Sequence, residues 1–457
     1  MAFHQDDVPS GHIAANIAQE AETASRGSQI RGILWRTESV PPDLVPFVRE
    51  QSPFYKAFLS HLPHDVPFSS LPLTDAEAYW AAGKASADNI LTKPFRDGVV
   101  MRSGGSTGAP KFVYYTREEL QRICSIKATV ASVSSGILPG DRIANLSPMG
   151  GMYGSFMFNN TAIMELPIDN VQLPIGGQQP EDVMADTIDI FEATVILTTI
   201  YSASKLAGWL LEQQRTLKTV RLILFTGEQF FKDVRPLWNR AYPNALISPY
   251  LYGSVECGPI GLPTHPPQPG SDDDTKPVYK VLEPAVYMEI VDEEGLPIIS
   301  PGVKGSVVVT HLIKRLQPLI RYPVGDIAAW EDYERRTFRL YGREKVALKI
   351  STTILDLPVL KTLVGTHLSP DIPFQSVVRR ANGQNVLVLR VAIATPDNSP
   401  MIRDAMEGHL AEISHSWMLN RDAGLIAPLA IEYVDIKHLI LVPGSGKVKD
   451  FVEERFD

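Results

Sequence analysis

The chain of 457 residues carries a formal charge of −9, with hydrophobic residues at 44% and charged residues at 21%. That balance excludes disordered and fibrous classes, and the length exceeds one ordinary core, so two or three domains are expected. An acidic chain offers no basic footprint to nucleic acid or to an anionic membrane, although it leaves room for a local positive pocket that takes small anions.

Cys124 and Cys257 are the only cysteines, too few for a disulfide framework or a cysteine-rich metal site, and a reducing compartment follows. The start, MAFHQDDVPSGH, lacks a positive region followed by an apolar core, and no stretch reaches the length of a membrane span. A cytoplasmic protein without a membrane or nucleic-acid partner is expected. The scattered histidines, such as His61 with His64 or His409 with His415, lack further soft ligands nearby and read as packed or solvated.

Up to about Asn89 the chain reads as short helices and loops broken by Pro41, Pro42, Pro46, Pro53 and Pro63, with no chemistry of its own. Met101 to Thr116, MRSGGSTGAPKFVYYT, is different in kind. Ser103, Gly104, Gly105, Ser106, Thr107 and Gly108 are followed by Lys111; glycines let backbone N–H groups turn toward an anion, hydroxyls add donors and lysine adds charge. A Walker loop needs glycine directly before the lysine, and Pro110 stands there. A hydrolase elbow with Ser106 as nucleophile needs a following helix, whereas Phe112 to Tyr115 reads as a strand. A hairpin loop between strands Gly98–Arg102 and Lys111–Tyr115 is expected, with an idle turn as the bland alternative.

Thr116-Arg117-Glu118-Glu119 is a capping box opening a helix whose apolar stripe includes Leu120, Ile123, Ala128 and Val130, with Cys124 packed in it. LSPMGGMYGSFMF, Leu146 to Phe158, suits either tight helix packing or a pocket wall. Alternation follows: a helix from Glu181 through Phe191, a strand Thr194–Thr199, a helix Ser202–Gln214, a strand Arg221–Phe225 and a short run Ile247–Leu251. Such βαβ units make a parallel sheet with ligand sites at the carboxyl ends of the strands. Thr226-Gly227-Glu228 and Tyr252-Gly253-Ser254-Val255-Glu256 lie at such ends.

Thr264–Pro277 reads as a solvated loop. Short strands at Tyr279–Leu282, Val286–Val291, Ser306–Leu312 and Thr337–Leu340 predict an antiparallel β subdomain, interrupted by a charged turn at Ile320–Asp326 and followed by Gly342-Arg343-Glu344-Lys345. The last hundred or so residues read as a small α+β unit: a strand, an Asn382-Gly383 turn, a strand Val386–Ala394, a helix Pro400–Asn420 and a strand Ala430–Ile436. It closes on Val442-Pro443-Gly444-Ser445-Gly446-Lys447, a loop holding out a lysine.

Taken together and in order, SGGSTGAPK, TGE, YGSVE, RYPVGD, GREK and PGSGK resemble the motifs of the adenylate-forming superfamily of acyl-CoA synthetases, peptide adenylation domains and luciferases. YGSVECGP with GMYGSF is most similar to the phenylacetate-CoA ligase branch. The resemblance implies an α/β fold with a large N-terminal domain, residues 1–342, of parallel-rich sheets, helices and a β subdomain. It also implies a hinge at 343–348 and a small mobile α+β C-terminal domain, 349–457; residues 1–90 are left unmatched.

The activity so implied is attack of a carboxylate on the α-phosphorus of ATP, giving acyl-adenylate and pyrophosphate, then transfer to a thiol, CoA first among acceptors. A carrier protein, an amine or a reductase is the alternative recipient. Attack of one anion on another needs charge neutralisation and in-line placement more than a protein nucleophile. The implied roles are residue-specific. Ser103, Gly104, Gly105, Ser106, Thr107, Gly108 and Lys111 hold the β and γ phosphates, and Glu256 binds Mg²⁺. Gly227, Glu228, Tyr252 and Gly253 border the adenine, Asp326 takes the ribose hydroxyls, and Arg343 lies near ribose and phosphate. Lys447 is the catalytic lysine and Lys345 the hinge. The residues themselves suggest Tyr153, Phe156 and Tyr250 as the wall for a small, flat aromatic acid.

Two departures from the family pattern stand out. Val255 replaces the usual hydroxyl residue before the glutamate, and GREKVALKISTT lacks the glycine usual after Lys349, where the thiol arm approaches. The first keeps a non-catalytic nucleotide binder among the alternatives. A serine hydrolase using Ser106, with His311, His367 or His438 as base, is another.

Overall fold

A computed structural model describes residues 40–455 apart from 104–110, 228–229, 231, 233, 272–273, 344–346, 352, 371 and 441–447. Three short helices come first: α1 (Leu44–Gln51), α2 (Pro53–Phe58) and α3 (Ala76–Ala85). Pro53 opens α2 at a position whose N–H has no helical partner, and the Asp75 carboxylate caps α3 by accepting from Ala78 N–H at 2.9 Å. Buried Tyr55 and Tyr79 dock these helices on the rest of the chain. The Ile320 amide donates to the Tyr55 hydroxyl, and the Tyr79 hydroxyl donates to the Pro318 carbonyl, both at 3.0 Å.

Strands β1 (Val99–Arg102) and β2 (Phe112–Tyr115) pair antiparallel, Arg102 opposite Phe112, which is the expected hairpin around the glycine-serine loop. The capping box forms at the start of α4 (Arg117–Ser134). Thr116 Oγ1 accepts from Glu119 N–H at 3.1 Å, and the Glu119 carboxylate accepts from Thr116 N–H at 2.9 Å. The other Glu119 oxygen takes the amides of Arg315 and Leu316, so one side chain both starts the helix and anchors a distant loop.

Next come β3 (Asp141–Leu146), α5 (Gly154–Met164), β4 (Asn170–Leu173), α6 (Glu181–Ile190), β5 (Val195–Thr199), α7 (Ile200–Glu212), β6 (Leu222–Thr226), α8 (Arg235–Ala241) and β7 (Leu246–Pro249). The five strands are all parallel in the order β4-β3-β5-β6-β7. Both faces are covered, which is why the strands read as near-continuous apolar runs. Alternate residues enter opposite cores: Ile143, Val195, Leu197, Leu222 and Leu224 join α4 and the N-terminal helices, while Ala144, Leu146, Ile196, Ile223 and Phe225 pack with α6, α7 and α8.

A second sheet follows, antiparallel throughout, built from β8 (Tyr252–Ser254), β9 (Gly258–Pro263), β10 (Tyr279–Val281), β11 (Val286–Val291), β12 (Lys304–His311), β13 (Tyr322–Asp332) and β14 (Thr337–Arg343) in the order β11-β12-β13-β14-β10-β9-β8. The expected charged turn at Ile320–Asp326 is corrected here: from Tyr322 onward these residues are strand β13. Pro323 and Gly325 argue against a strand in the sequence, but the pairing shifts register between Ser306–Ile327 and Val308–Pro323, so the extra residues bulge from β13 itself.

Strands β15 (Ala347–Ile350) and β16 (Thr353–Asp356) form a hairpin. They pack with α9 (Leu357–His367), β17 (Phe374–Ala381), β18 (Gln384–Val391), α10 (Ser399–Ile413), α11 (His415–Asp422), β19 (Ala430–Tyr433) and β20 (Phe451–Glu453), in a core of its own around Leu360, Leu387, Met406 and Trp417. Asn382 and Gly383 take φ +51 and +79 in the hairpin turn between β17 and β18. The single helix expected over Pro400–Asn420 is two. Ser414 leaves the helical region and accepts from Trp417 N–H at 3.2 Å, capping α11.

Candidate active site

The chain passes from the carboxyl end of β7, in the parallel sheet, directly into β8, the edge strand of the antiparallel one. At the mouth of the glycine-serine loop, Lys111 N–H donates to Ser103 Oγ at 3.1 Å and Ser103 N–H to the Lys111 carbonyl at 3.0 Å. The loop's ends are thereby pinned together. Gly104 to Gly108, the loop proper, lie outside the described residues, as do Glu228, Lys345 and Lys447.

Lys111 Nζ meets Glu256 Oε1 at 2.8 Å and lies 5.4 Å from the centre of the Trp80 ring. Trp80 Nε1–H in turn donates to the Tyr322 hydroxyl at 2.8 Å. Glu256 sits in the turn between β8 and β9, where Lys314 Nζ donates to its carbonyl at 3.2 Å. Lys314 is fully buried over the Tyr115 ring at 4.3 Å, and burial pushes its amine down to about 8. Lys314 therefore fixes the backbone that presents Glu256.

Four residues along each chain segment lies a second cross-link. The Tyr252 hydroxyl donates to Asp326 Oδ2 at 2.8 Å, Tyr252 preceding Glu256 by four residues and Asp326 following Tyr322 by four. Tyr252 is held by edge contacts to Phe338 at 5.8 Å and by Tyr279 at 6.1 Å. Asp326 stands opposite Arg343 in the β13–β14 register. Gly253 cannot be replaced: an added Cβ would lie 2.4 Å from the Gly258 carbonyl oxygen. The Ser254 hydroxyl accepts from Cys257 N–H at 3.0 Å, holding the turn that carries Glu256. Gly227, with φ +89, follows β6, and its carbonyl accepts from Lys349 Nζ of β15 at 2.8 Å.

Residues 70–311, more than half of the chain, match the family model for AMP-binding enzymes. The chain belongs to the AMP-binding enzyme family. The match begins inside the segment that the motif resemblance leaves unmatched. No curated protein matches the sequence. Among solved structures, this AMP-binding enzyme is similar to 2-hydroxyisobutyryl-CoA ligase with 2-HIB-AMP and CoA in the thioesterification state, at 16% identity over 95% of this chain and 90% of that one, with a TM-score of 0.66. The same ligase in the postadenylation state gives 0.56 over the same shares at 16% identity. The acyl acid amido synthetase AtGH3.15 in complex with 2,4-DB gives 0.52 at 16% identity over 95% and 91%. At such identities the likeness is one of fold: an α/β architecture with a large N-terminal and a small C-terminal part.

The three aromatics expected to wall an acid differ in setting in this AMP-binding enzyme. Tyr250 is buried, Phe156 half-buried, and Tyr153, at the N-cap of α5, exposed. The hairpin context of the loop runs against the Ser106 hydrolase alternative, since β2 and not a helix follows it. Of the candidate bases, His311 is fully buried, accepts two backbone amides at Nδ1, and is held well below the usual imidazole range by burial.

Among the described residues no three His, Cys, Asp or Glu side chains group into a metal cage. A lone carboxylate beside the loop fits Mg²⁺, which takes most of its ligands from phosphate and water. No helix of the described residues is long and apolar enough to cross a membrane.

Trp80 and Lys314 escape the sequence reading. Trp80 lies in a segment without motifs, and Lys314 in a loop between strands with no pattern to mark it.

Proposed function

We propose that this enzyme activates a small carboxylic acid with ATP, releasing pyrophosphate, and passes the acyl group from the adenylate to a thiol, CoA in the first instance, as a phenylacetate-CoA ligase-like acid–thiol ligase. The observation that supports this most is that one short segment, Tyr252 to Glu256, makes both cross-links, Tyr252 to Asp326 and Glu256 to Lys111. The first supplies a carboxylate that can accept from hydroxyls, and the second a cation at the mouth of the glycine-serine loop.

In this reading Asp326 accepts from both ribose hydroxyls, while Gly227, Glu228, Tyr252 and Gly253 border the adenine. Ser103 to Gly108 and Lys111 hold the β and γ phosphates. Glu256 would hold Mg²⁺, which supplies charge neutralisation to the triphosphate. Arg343 lies toward ribose and phosphate. Lys447 meets the acid carboxylate and the α-phosphate together, stabilising charge that develops between them. The carboxylate oxygen bonds to the α-phosphorus as the bond to pyrophosphate breaks. The thiolate then attacks the acyl carbon and AMP leaves. Exchange of labelled pyrophosphate into ATP across a panel of acids tests this; exchange with at least one acid is expected, and none with any acid overturns it.

The hinge assignment carries its own test. Lys345→Pro is expected to leave exchange within about threefold of wild type and to lower thioester formation by two orders of magnitude or more, because it fixes φ where the rotation between half-reactions is absorbed. Equal loss of both contradicts it. A carrier protein, amine or reductase as recipient is the second reading, favoured by the absent glycine after Lys349. Product analysis with each acceptor separates the two.

A further inference from the structure

Tyr250, one of the three aromatics read as an acid wall, packs on a polar cluster to which no role is given above. Lys127, on α4, is fully buried. Its Nζ donates to Asn159 Oδ1 at 2.7 Å and lies 4.5 Å from the centre of the Tyr250 ring. Asn159 follows Phe156 by three residues on α5 and so shares its face, and its amide donates to Ser147 Oγ at 2.8 Å, just beyond the carboxyl end of β3. Tyr250 follows β7, its amide tied to the Phe225 carbonyl at 2.7 Å. All of these sit at the end of the sheet where an α/β fold places its ligands.

The cluster is rich in donors and short of acceptors. Among the described residues no carboxylate pairs with Lys127, and the buried Tyr250 hydroxyl has no hydrogen-bond partner. An ammonium carries three N–H donors, and Asn159 takes one. Burial pushes the Lys127 amine down to about 7, and the neighbouring Cys124 thiol, pushed up to about 11 by its own burial, stays neutral and offers no counter-charge. A buried amine with unmet donors, beside an orphaned hydroxyl, is costly to maintain.

Resting on the acid-activation reading, we propose that Lys127 and Tyr250 determine specificity by donating hydrogen bonds to a second oxygen acceptor, a carboxylate or a hydroxyl, at the far end of the substrate acid. A site built to satisfy such an atom rejects the analogue lacking it, because its own donors are then left buried and unmatched.

Pyrophosphate exchange on matched acids tests this: benzoate against 4-hydroxybenzoate and terephthalate, and butanoate against 4-hydroxybutanoate and pentanedioate. In the wild type the acid with the distal oxygen is expected to lead its partner by about a hundredfold or more in kcat/KM, within the range of hydrogen-bond-based discrimination. Whether hydroxyl or carboxylate leads identifies the acceptor. In Lys127→Met and in Tyr250→Phe the ratio falls below about tenfold, with the loss carried by KM. Tyr250→Phe removes only an unpartnered hydroxyl, so its thermal midpoint is not expected to fall, and it serves if the lysine variant does not fold. A ratio near one in the wild type, or one unchanged in Tyr250→Phe, overturns the proposal while leaving acid activation intact. Exchange with no acid overturns both.

Discussion

Asp326→Ala is expected to lower kcat/KM for ATP by about 10²- to 10⁴-fold. Two hydrogen bonds from ribose hydroxyls to a carboxylate contribute about 1.5–3 kcal/mol each, and every 1.4 kcal/mol is a factor of ten. The carboxylate is aimed by the Tyr252 hydroxyl at 2.8 Å and carried on a strand whose neighbour is β14, so its position is prepared before the nucleotide arrives. Tyr252→Phe keeps the carboxylate and loses only its orientation; about a tenfold loss is expected, the worth of one hydrogen bond. Kinetics with ATP and with 2′-deoxy-ATP separate the contributions. The deoxy substrate costs the wild type a factor that largely disappears in Asp326→Ala, since both changes remove the same interaction. Independent losses that simply multiply contradict the ribose role.

Lys447→Ala is expected to lower adenylate formation by about 10²- to 10³-fold, the range found when one charge-stabilising donor is removed from a transition state. The same variant is expected to convert a supplied acyl-adenylate to thioester at a rate within a few fold of wild type, because the lysine's proposed place is between carboxylate and α-phosphate, and that bond is already made. Single-turnover assays of each half-reaction decide it. Equal loss in both would mean that the lysine supports the fold or both poses alike.

How far the molecule is legible from its residues varies from place to place. The hairpin, the capping box and the parallel strands β5 and β6 are local: each follows from a periodicity or a spacing within a few residues, and each forms as read, while β3 and β4 carry no such signal. Strand β13 is hidden because Pro323 and Gly325 punctuate it, and its pairing with β12 skips register at those residues. Ser414 breaks a helical period that shows no glycine or proline at the break; only the cap it makes reveals why.

The site is legible where motifs carry it and opaque where burial does. Lys111, Glu256, Tyr252 and Asp326 stand in motif segments, and the fold brings them together. Trp80 reaches Lys111 from a helix thirty-one positions upstream, a proximity set by how α3 docks through Tyr79. Lys127 and Lys314 look in sequence like any helix or loop lysine. Their significance lies in complete burial, a property of packing that no local pattern announces.

The central claim is that an acid carboxylate attacks the α-phosphorus of ATP, and oxygen tracing tests it most directly. An acid that supports pyrophosphate exchange is labelled with ¹⁸O in both carboxylate oxygens and turned over with ATP and a thiol. The bridging oxygen stays with phosphorus when the thiol attacks the acyl carbon, so AMP is expected to carry one ¹⁸O and pyrophosphate none. Unlabelled AMP, or label found in inorganic phosphate with ADP as the nucleotide product, would contradict the account.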